Sequence, residues 1–572
     1  MDKKVKMDWR RWASIARLSI RKICCLNGSR KLLRRKYSWS MPPILGLSIF
    51  SARSAIGFAF FFLQRTFSLF ESFFSSLYHL YYTLINVKNL LIHHFSHPLF
   101  CHFIFFSYLC TSIHQTETMS SELAVSVFNT SKDMKFFDRE REIQRLQEIR
   151  ELSRQNSQFT VVTGRRRIGK TALVMKAYED EPFLYFFVAR STESELCRDF
   201  ADEIVRKLNY PILGRVDRFA DIFEFVMKLS EQRPITLMID EFQDFQRVNG
   251  AIFSQIQKIW DLNKAKAHLN LVVCGSIYSM MTKLFLGKKE SLYGRQTEFM
   301  KIEPFAPSVL KQILLTYNPS YTFEDLLALY AFTGGVAKYV ELLVDSGALT
   351  KELMQERMLA KNSYFIYEGK NMLIEEFGRD YGRYFDILKL VASGHNSRGE
   401  IDGMLHVEVS GYLTRLEKDY GLLSKRIPMF QQTAFKNVRY NIDDKFLRFW
   451  FRFIYKYNHI IEANANELLL EILHRDYDTY SGIVLEDYFK DMLLETSNYT
   501  QIGSWWDRKG ENEIDIIAAN ELTKTVTFFE VKRQESEFRQ SLLEEKSNKF
   551  FEATGKYRKY AVSLVCLSMK DM

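Results

Sequence analysis

Cysteine is scarce and scattered in this chain. Seven of 572 residues are Cys, namely Cys24, Cys25, Cys101, Cys110, Cys197, Cys274 and Cys566. Beyond residue 118 only the last three remain, at unrelated spacings. That excludes a disulfide framework and a zinc-finger pattern, and it suits a reducing cytosol, so the expected location is cytoplasmic. The bulk of the chain also lacks a charge signature. The net charge is +10, but residues 1–118 hold 16 Lys/Arg against 4 Asp/Glu, while residues 119–572 hold 63 against 65. Charge alone therefore gives no case for nucleic-acid binding by the main body.

Charged residues are missing altogether from two early stretches, Ser72 to Val87 and Asn89 to Thr116. The second exceeds the ~20 residues needed to cross a bilayer. Yet it holds five histidines and a proline, a poor composition for a membrane helix. With 13 basic residues in the first 40, residues 1–118 fit a membrane anchor whose basic end is cytoplasmic. They are too long and irregular for a simple signal peptide. The alternative is a disordered or spurious segment, with the working protein starting at Met119 or Met134. A membrane is an expected partner only if residues 1–118 belong to it.

What is present begins with Phe159-Thr-Val-Val-Thr-Gly164-Arg-Arg-Arg-Ile-Gly169-Lys170-Thr171. An apolar, β-branched run leads into Gly-x-x-x-x-Gly-Lys-Thr, and helix formers follow. Glycines at 164 and 169 let the backbone approach phosphate oxygens closely. Loop amides and the positive end of the next helix then face the anion. The spacing predicts a phosphate cradle of Gly164, Arg165, Arg166, Arg167, Ile168, Gly169, Lys170, Thr171 and Ala172. Lys170 can reach the β- and γ-phosphates, and the Thr171 hydroxyl can ligate Mg²⁺.

A second acidic strand end, Ile235-Thr-Leu-Met-Ile-Asp240-Glu241, lies some 70 residues downstream. Ligands of open α/β sheets sit at the carboxyl ends of strands. That places Asp240 beside the magnesium and makes Glu241 the general base toward water. Leu269 to Cys274 is another buried strand. Its tip residue Ser276 is read either as a contact to the γ-phosphate or as a turn serine. Arg295, in Tyr293-Gly-Arg, is read as a stabiliser of transition-state charge in cis or across a subunit contact, or as a surface salt bridge.

The middle of the chain, 380–460, predicts three short helices and a β-rich stretch. The third helix (Ser410, Tyr412, Thr414, Arg415, Lys418) faces a DNA groove in one reading and packs against protein in the other. The run Phe446 to Phe453 reads as core. At the C-terminal end, alternation in Glu513-Ile-Asp515-Ile sets Asp515 opposite the apolar face, and Glu530 and Lys532 share one strand face. If those strands pair, the three side chains converge. Two carboxylates suit Mg²⁺, and the lysine can orient water. A cross-strand ion pair is the plainer alternative.

These motifs support a resemblance. Phe-Phe-Asp-Arg-Glu-Arg-Glu, Gly-Arg-Arg-Arg-Ile-Gly-Lys-Thr, Ile-Asp-Glu-Phe-Gln, the Gly275-Ser276 strand tip, Leu-Tyr-Gly-Arg295 and Thr-Gly-Gly-Val-Ala-Lys-Tyr together resemble the archaeal-type AAA ATPases related to STAND signalling NTPases. Many members have Pro where Ala337 stands. The resemblance implies Mg-ATP as ligand, a sensor role for Ser276 and a finger role for Arg295, with self-association as a partner only where Arg295 acts across a subunit contact. The middle resembles a winged helix. The end resembles the PD-(D/E)XK nuclease fold, which implies that Glu486 is a further acid beside Asp515 and Glu530 in a metal set, with Lys532 catalytic.

The expected class is α/β: a RecA-like P-loop parallel sheet with a helical lid over 134–350, a winged helix over 380–460, and an α/β nuclease-like domain over 480–572. The expected function is magnesium-dependent ATP hydrolysis regulating a tail that acts on DNA. The alternatives are a signalling switch whose tail only binds a partner, and a membrane-tethered ATPase.

Overall fold

The computed structural model describes residues 134–572 except 213, 379–380 and 431–437. The anchor-or-spurious reading of residues 1–118 lies outside the described residues. Five strands form one parallel sheet: β1 (Gln158–Gly164), β2 (Leu184–Phe187), β3 (Ile235–Asp240), β4 (Leu269–Cys274) and β5 (Glu298–Ile302), in the order β2-β3-β4-β1-β5. Strand side chains alternate between two faces. Val162, Met238 and Val272 join one core with Leu146, Leu173 and Val174 from helices Glu140–Ser153 and Lys170–Ala177. Val161, Leu237, Ile239, Leu271 and Val273 join the other. Helices Phe219–Ser230, Ile252–Asn263 and Tyr278–Leu286 cover that second face. A sheet covered on both faces explains why its inner strands β3 and β4 read as mainly apolar runs.

A helical lid follows, in helices Pro307–Tyr317, Phe323–Thr333 and Ala337–Asp345. Its turn needs glycine. Gly335 has φ of +74°, and a Cβ there would meet the Phe305 carbonyl oxygen at 2.2 Å.

Helices Tyr381–Ala392, Arg398–Leu405 and Ser410–Lys418 then lead to an antiparallel pair, β6 (Leu423–Arg426) and β7 (Arg439–Ile442). The aromatic run after β7 is buried, at Phe446, Phe449, Trp450, Phe451 and Phe453. The turn Trp450–Tyr455 is π-helical.

One element differs from expectation. The nuclease-like domain was expected to start at 480, but the helix there runs from Asn466 to Glu495, 30 residues. Nothing lies within 4 Å of a Cβ at Gly482. The glycine costs helix propensity there but breaks no packing, and tertiary contacts override it. A boundary at 480 would cut this helix in two.

The tail sheet runs β11-β10-β9-β8, built from β8 (Gln501–Trp506), β9 (Glu513–Asn520), β10 (Thr525–Lys532) and β11 (Ala561–Ser568). β8, β9 and β10 pair antiparallel, and β11 joins β10 in parallel after helix Gln540–Thr554. Four apolar groups of one face, Ile516, Ala518, Phe529 and Val531, merge into the core shared with the lid and the long helix. The tail is bolted to the lid. Arg533 pairs with Glu324, and Lys311 Nζ donates to the Met572 carbonyl at 2.7 Å. Among the described residues no helix is long and apolar enough to cross a membrane.

Candidate functional site

The carboxyl ends of β1, β4 and β3 lie side by side, because β4 pairs with both neighbours. Chain reversals at those three ends bring the P-loop, Ser276 and Asp240-Glu241 to one edge. Gly164 and Gly169 have φ of +146° and +95°. A Cβ at Gly164 would sit 2.7 Å from the Ile302 carbonyl oxygen, so the loop entry tolerates no side chain. Lys170 begins the helix and is 6% exposed. Its Nζ donates to the carbonyls of Gly164 and Arg165, both at 3.0 Å. Burial lowers the pKa of its ammonium, against the pull of Glu241 and Asp240.

The Thr171 hydroxyl donates to Asp240 Oδ2 at 2.7 Å, across 69 residues of sequence. Tyr185 on β2 donates to the same oxygen at 3.2 Å. Asp240 Oδ1 accepts the Glu241 amide at 2.9 Å. Glu241 sits at φ +52°, in the left-handed region that non-glycine residues rarely adopt. Its Oε2 accepts from Ser276 Oγ at 2.7 Å and from Gln243 Nε2 at 2.5 Å. Gly275 allows this closeness, since a Cβ there would meet Met281 Sδ at 2.3 Å and Gln243 Oε1 at 2.7 Å. A cavity of about 790 Å³ opens beside the loop, lined in part by Arg165, Arg166, Ser276, Phe305, Tyr330 and Asp444.

Arg295 is not part of this edge. It pairs with Asp261 at 3.2 Å, and nearby Thr297 bonds Phe159 at the start of β1. The P-loop leaves the other end of β1, roughly 17 Å away at strand rise. A role for Arg295 at the nucleotide of its own subunit is thereby corrected to a surface ion pair. Tyr185 and Gln243 escaped the sequence reading. Gln243 lay inside the Ile-Asp-Glu-Phe-Gln motif, whereas nothing local marked Tyr185.

In the tail, Asp515 Oδ2 accepts the Val531 amide at 2.8 Å, which seats it beside Glu530 and Lys532. Glu530 is 6% exposed. It is held by Lys546 from helix Gln540–Thr554, at 2.9 Å to each oxygen, and by Lys532 at 3.1 Å. Burial pushes the Glu486 carboxyl up to about 8, helped by the charges of Asp515, Asp487 and Glu513 and opposed by Arg426. Burial pushes Asp515 up to about 6, with Glu530 adding and Lys532 and Lys546 opposing. Among the described residues no three Asp, Glu, His or Cys side chains form a ready metal cluster. Of the expected three-carboxylate metal set, Glu486, Asp515 and Glu530, the last is engaged by two lysines in this structure. Lys546 was missed because only the fold brings its helix over β10.

A raised carboxyl pKa has a defined sign for stability. Below its unfolded value of 4.5 Glu486 is protonated in both states. Between that value and about 8 the folded chain keeps a proton that the unfolded chain has lost, so stability falls as pH rises. Glu486→Gln is expected to flatten this decline and to raise the melting temperature at pH 8. Melting curves at several pH values check it, and an unchanged slope would refute the assignment.

A glycine-rich loop closing on a strand-end carboxylate defines a P-loop nucleotide site. Residues 136–343 match the family described as an ATPase domain predominantly from Archaea, and residues 450–549 match a family described as Archaea bacterial proteins of unknown function. An uncharacterized protein of Methanocaldococcus jannaschii is 31% identical over 409 residues, 69% of this chain and 87% of that relative. An uncharacterized ATP-binding protein of the same organism is 24% identical over 321 residues, 45% of this chain and 86% of the relative. Similar solved structures include the Walker-type ATPase of Pyrococcus abyssi, at 19% identity and TM-score 0.44 over 55% of this chain and 96% of that one. The ORC2 protein of Aeropyrum pernix in ADPNP–ADP complexes matches at 15% identity and TM-score 0.40 over 59% and 98%. The chain belongs to the archaeal-type ATPase family and carries its ATP-binding ATPase domain.

Proposed function

We propose that this chain hydrolyses ATP with magnesium at the P-loop, and that its nucleotide state governs a tail of nuclease type acting on DNA. The observation that carries the reading is the bond from Thr171 to Asp240, which joins the two halves of the site. A hydroxyl and a carboxylate meeting there are the hard oxygen donors that Mg²⁺ takes. The ion would supply charge neutralisation on the phosphates. Gly164 to Ala172 cradle the phosphates, and Lys170 exchanges its two carbonyl partners for phosphate oxygens. Ser276 and Gln243 hold Glu241 through Oε2, so Oε1 is the oxygen that takes the hydrogen of the attacking water.

The domains divide into the ATPase with its lid over 134–350, a winged helix over 380–460, and a nuclease-like tail that takes in the whole helix from Asn466. Thr414, Arg415 and Lys418 are exposed on helix Ser410–Lys418 and are the groups offered to a DNA backbone. Arg426 and Lys425 are committed to Asp487 and Glu417, so that footprint is small. The link from loop to tail is ionic. Lys445 bonds Asp491 at 2.9 Å, and Arg448 pairs with Asp487, next to Glu486 on the same helix.

A second reading has the tail bind a partner without cutting. The grip of Lys546 and Lys532 on Glu530 favours it, and no step through a tail metal is drawn. The two readings separate when the full chain is incubated with single- and double-stranded DNA, Mg²⁺ or Mn²⁺, with and without ATP. A nuclease cleaves, and Lys532→Ala abolishes the cleavage while ATP turnover persists. Absence of cleavage by the wild type under every condition sinks the nuclease and leaves the switch.

A further inference from the structure

The P-loop places three arginines between its glycines, and two of them reach outside the ATPase segment 136–343. Arg165 forms an ion pair with Asp444, and Arg167 with Glu368. Both acids are well buried, with side chains 8% and 1% exposed. The surroundings fix both pairs. Glu368 also accepts from Tyr339 of the lid at 2.8 Å, and the Arg167 guanidinium lies over the Tyr364 ring at 4.7 Å. Asp444 caps helix Lys445–Phe449 by accepting the Leu447 amide at 2.9 Å. Arg165 and Asp444 line the cavity that opens beside the loop.

We propose that Asp444 and Glu368 form a carboxylate latch that competes with nucleotide phosphates for Arg165 and Arg167, so that residues outside the ATPase segment set its ATP affinity. The inference rests on the P-loop being the nucleotide site. Phosphates entering the loop bring several negative charges beside two guanidiniums already engaged by buried carboxylates. Opposite charges attract strongly in such partly desolvated surroundings. Whatever the phosphates gain from the arginines weakens the carboxylate pairs. By linkage, the pairs weaken nucleotide binding by the same factor. Freed from Arg165 at Oδ2, Asp444 keeps its Oδ1 bond to the Leu447 amide, and the start of the helix whose Lys445 and Arg448 hold the long helix of the tail is less restrained.

The test uses the full chain and the magnesium complex of ADPNP, a non-hydrolysable ATP analogue, titrated by calorimetry. Asp444→Asn keeps a good helix cap, and Glu368→Gln keeps an acceptor for Tyr339. Each variant is expected to bind the analogue about 5-fold tighter or more. The gain from Asp444→Asn is expected to vanish in an Arg165→Gln background. Variants that melt like the wild type and bind no tighter overturn the latch.

The wild type supplies an independent readout that needs no variant to fold. Amide hydrogen exchange over 445–449 is expected to speed up on adding the analogue. Binding without that change overturns the latch alone, whereas no binding at all overturns the nucleotide reading and the latch with it.

Discussion

Lys170→Ala is expected to lower ATP turnover by about 10²-fold or more, the scale seen when one charge-stabilising donor is removed. The side chain is buried, and its ammonium bonds two loop carbonyls. Those carbonyls hold it over the position where phosphate oxygens would replace them. Alanine removes the positive charge that the γ-phosphate needs as its bond breaks, and it removes the crosslink that shapes the loop. ATP affinity falls too, so the rise in melting temperature that saturating ATP gives the wild type is expected to disappear. A ligand at 100 times its Kd stabilises by about 2.7 kcal/mol, enough to read in a melting curve. Burying a lysine is costly, so the unliganded variant is expected to melt no lower than the wild type. A variant that turns ATP over at the wild-type rate would remove Lys170 from the mechanism.

Glu241→Gln separates chemistry from binding. Glutamine keeps an oxygen to accept from Ser276 and Gln243, whose bonds to Glu241 are 2.7 and 2.5 Å. It cannot take a proton from water. Turnover is expected to fall by roughly 10²- to 10⁴-fold, the usual worth of a positioned general base. Nucleotide affinity is expected to stay within a few-fold of wild type, so the variant accumulates as an ATP complex. Equilibrium binding and single-turnover hydrolysis on the same preparation check both halves. Equal losses in binding and turnover would make Glu241 a structural residue rather than a base.

Legibility in the sequence followed distance along the chain. The loop from Gly164 to Thr171 and the strand ending in Asp240 were readable because each is a local pattern of apolar run, turn and polar tip. The parallel sheet followed from the same runs. The expected domain start at 480 falls inside the long helix, because a glycine such as Gly482 resembles a boundary when only its neighbours are considered. Residues supplied by other elements left no local mark. Tyr185 reaches Asp240 only because β2 lies beside β3, and Lys546 reaches Glu530 only because its helix crosses the tail sheet. Asp444 and Glu368 meet the loop only after the middle folds against the lid. Arg295 shows the reverse error. Its motif suggested proximity to the nucleotide, whereas the register of β1 and β5 sets it at the far end of the sheet.

The central claim is that loop and acidic strand end meet around one magnesium-bound nucleotide. Its most direct test is a titration of the full chain with ADPNP at increasing Mg²⁺, in the wild type and in Thr171→Ala and Asp240→Asn. Tight binding that depends on Mg²⁺ is expected in the wild type, with loss of that dependence in both variants. Affinity indifferent to Mg²⁺, or equally Mg²⁺-dependent in all three proteins, would contradict it.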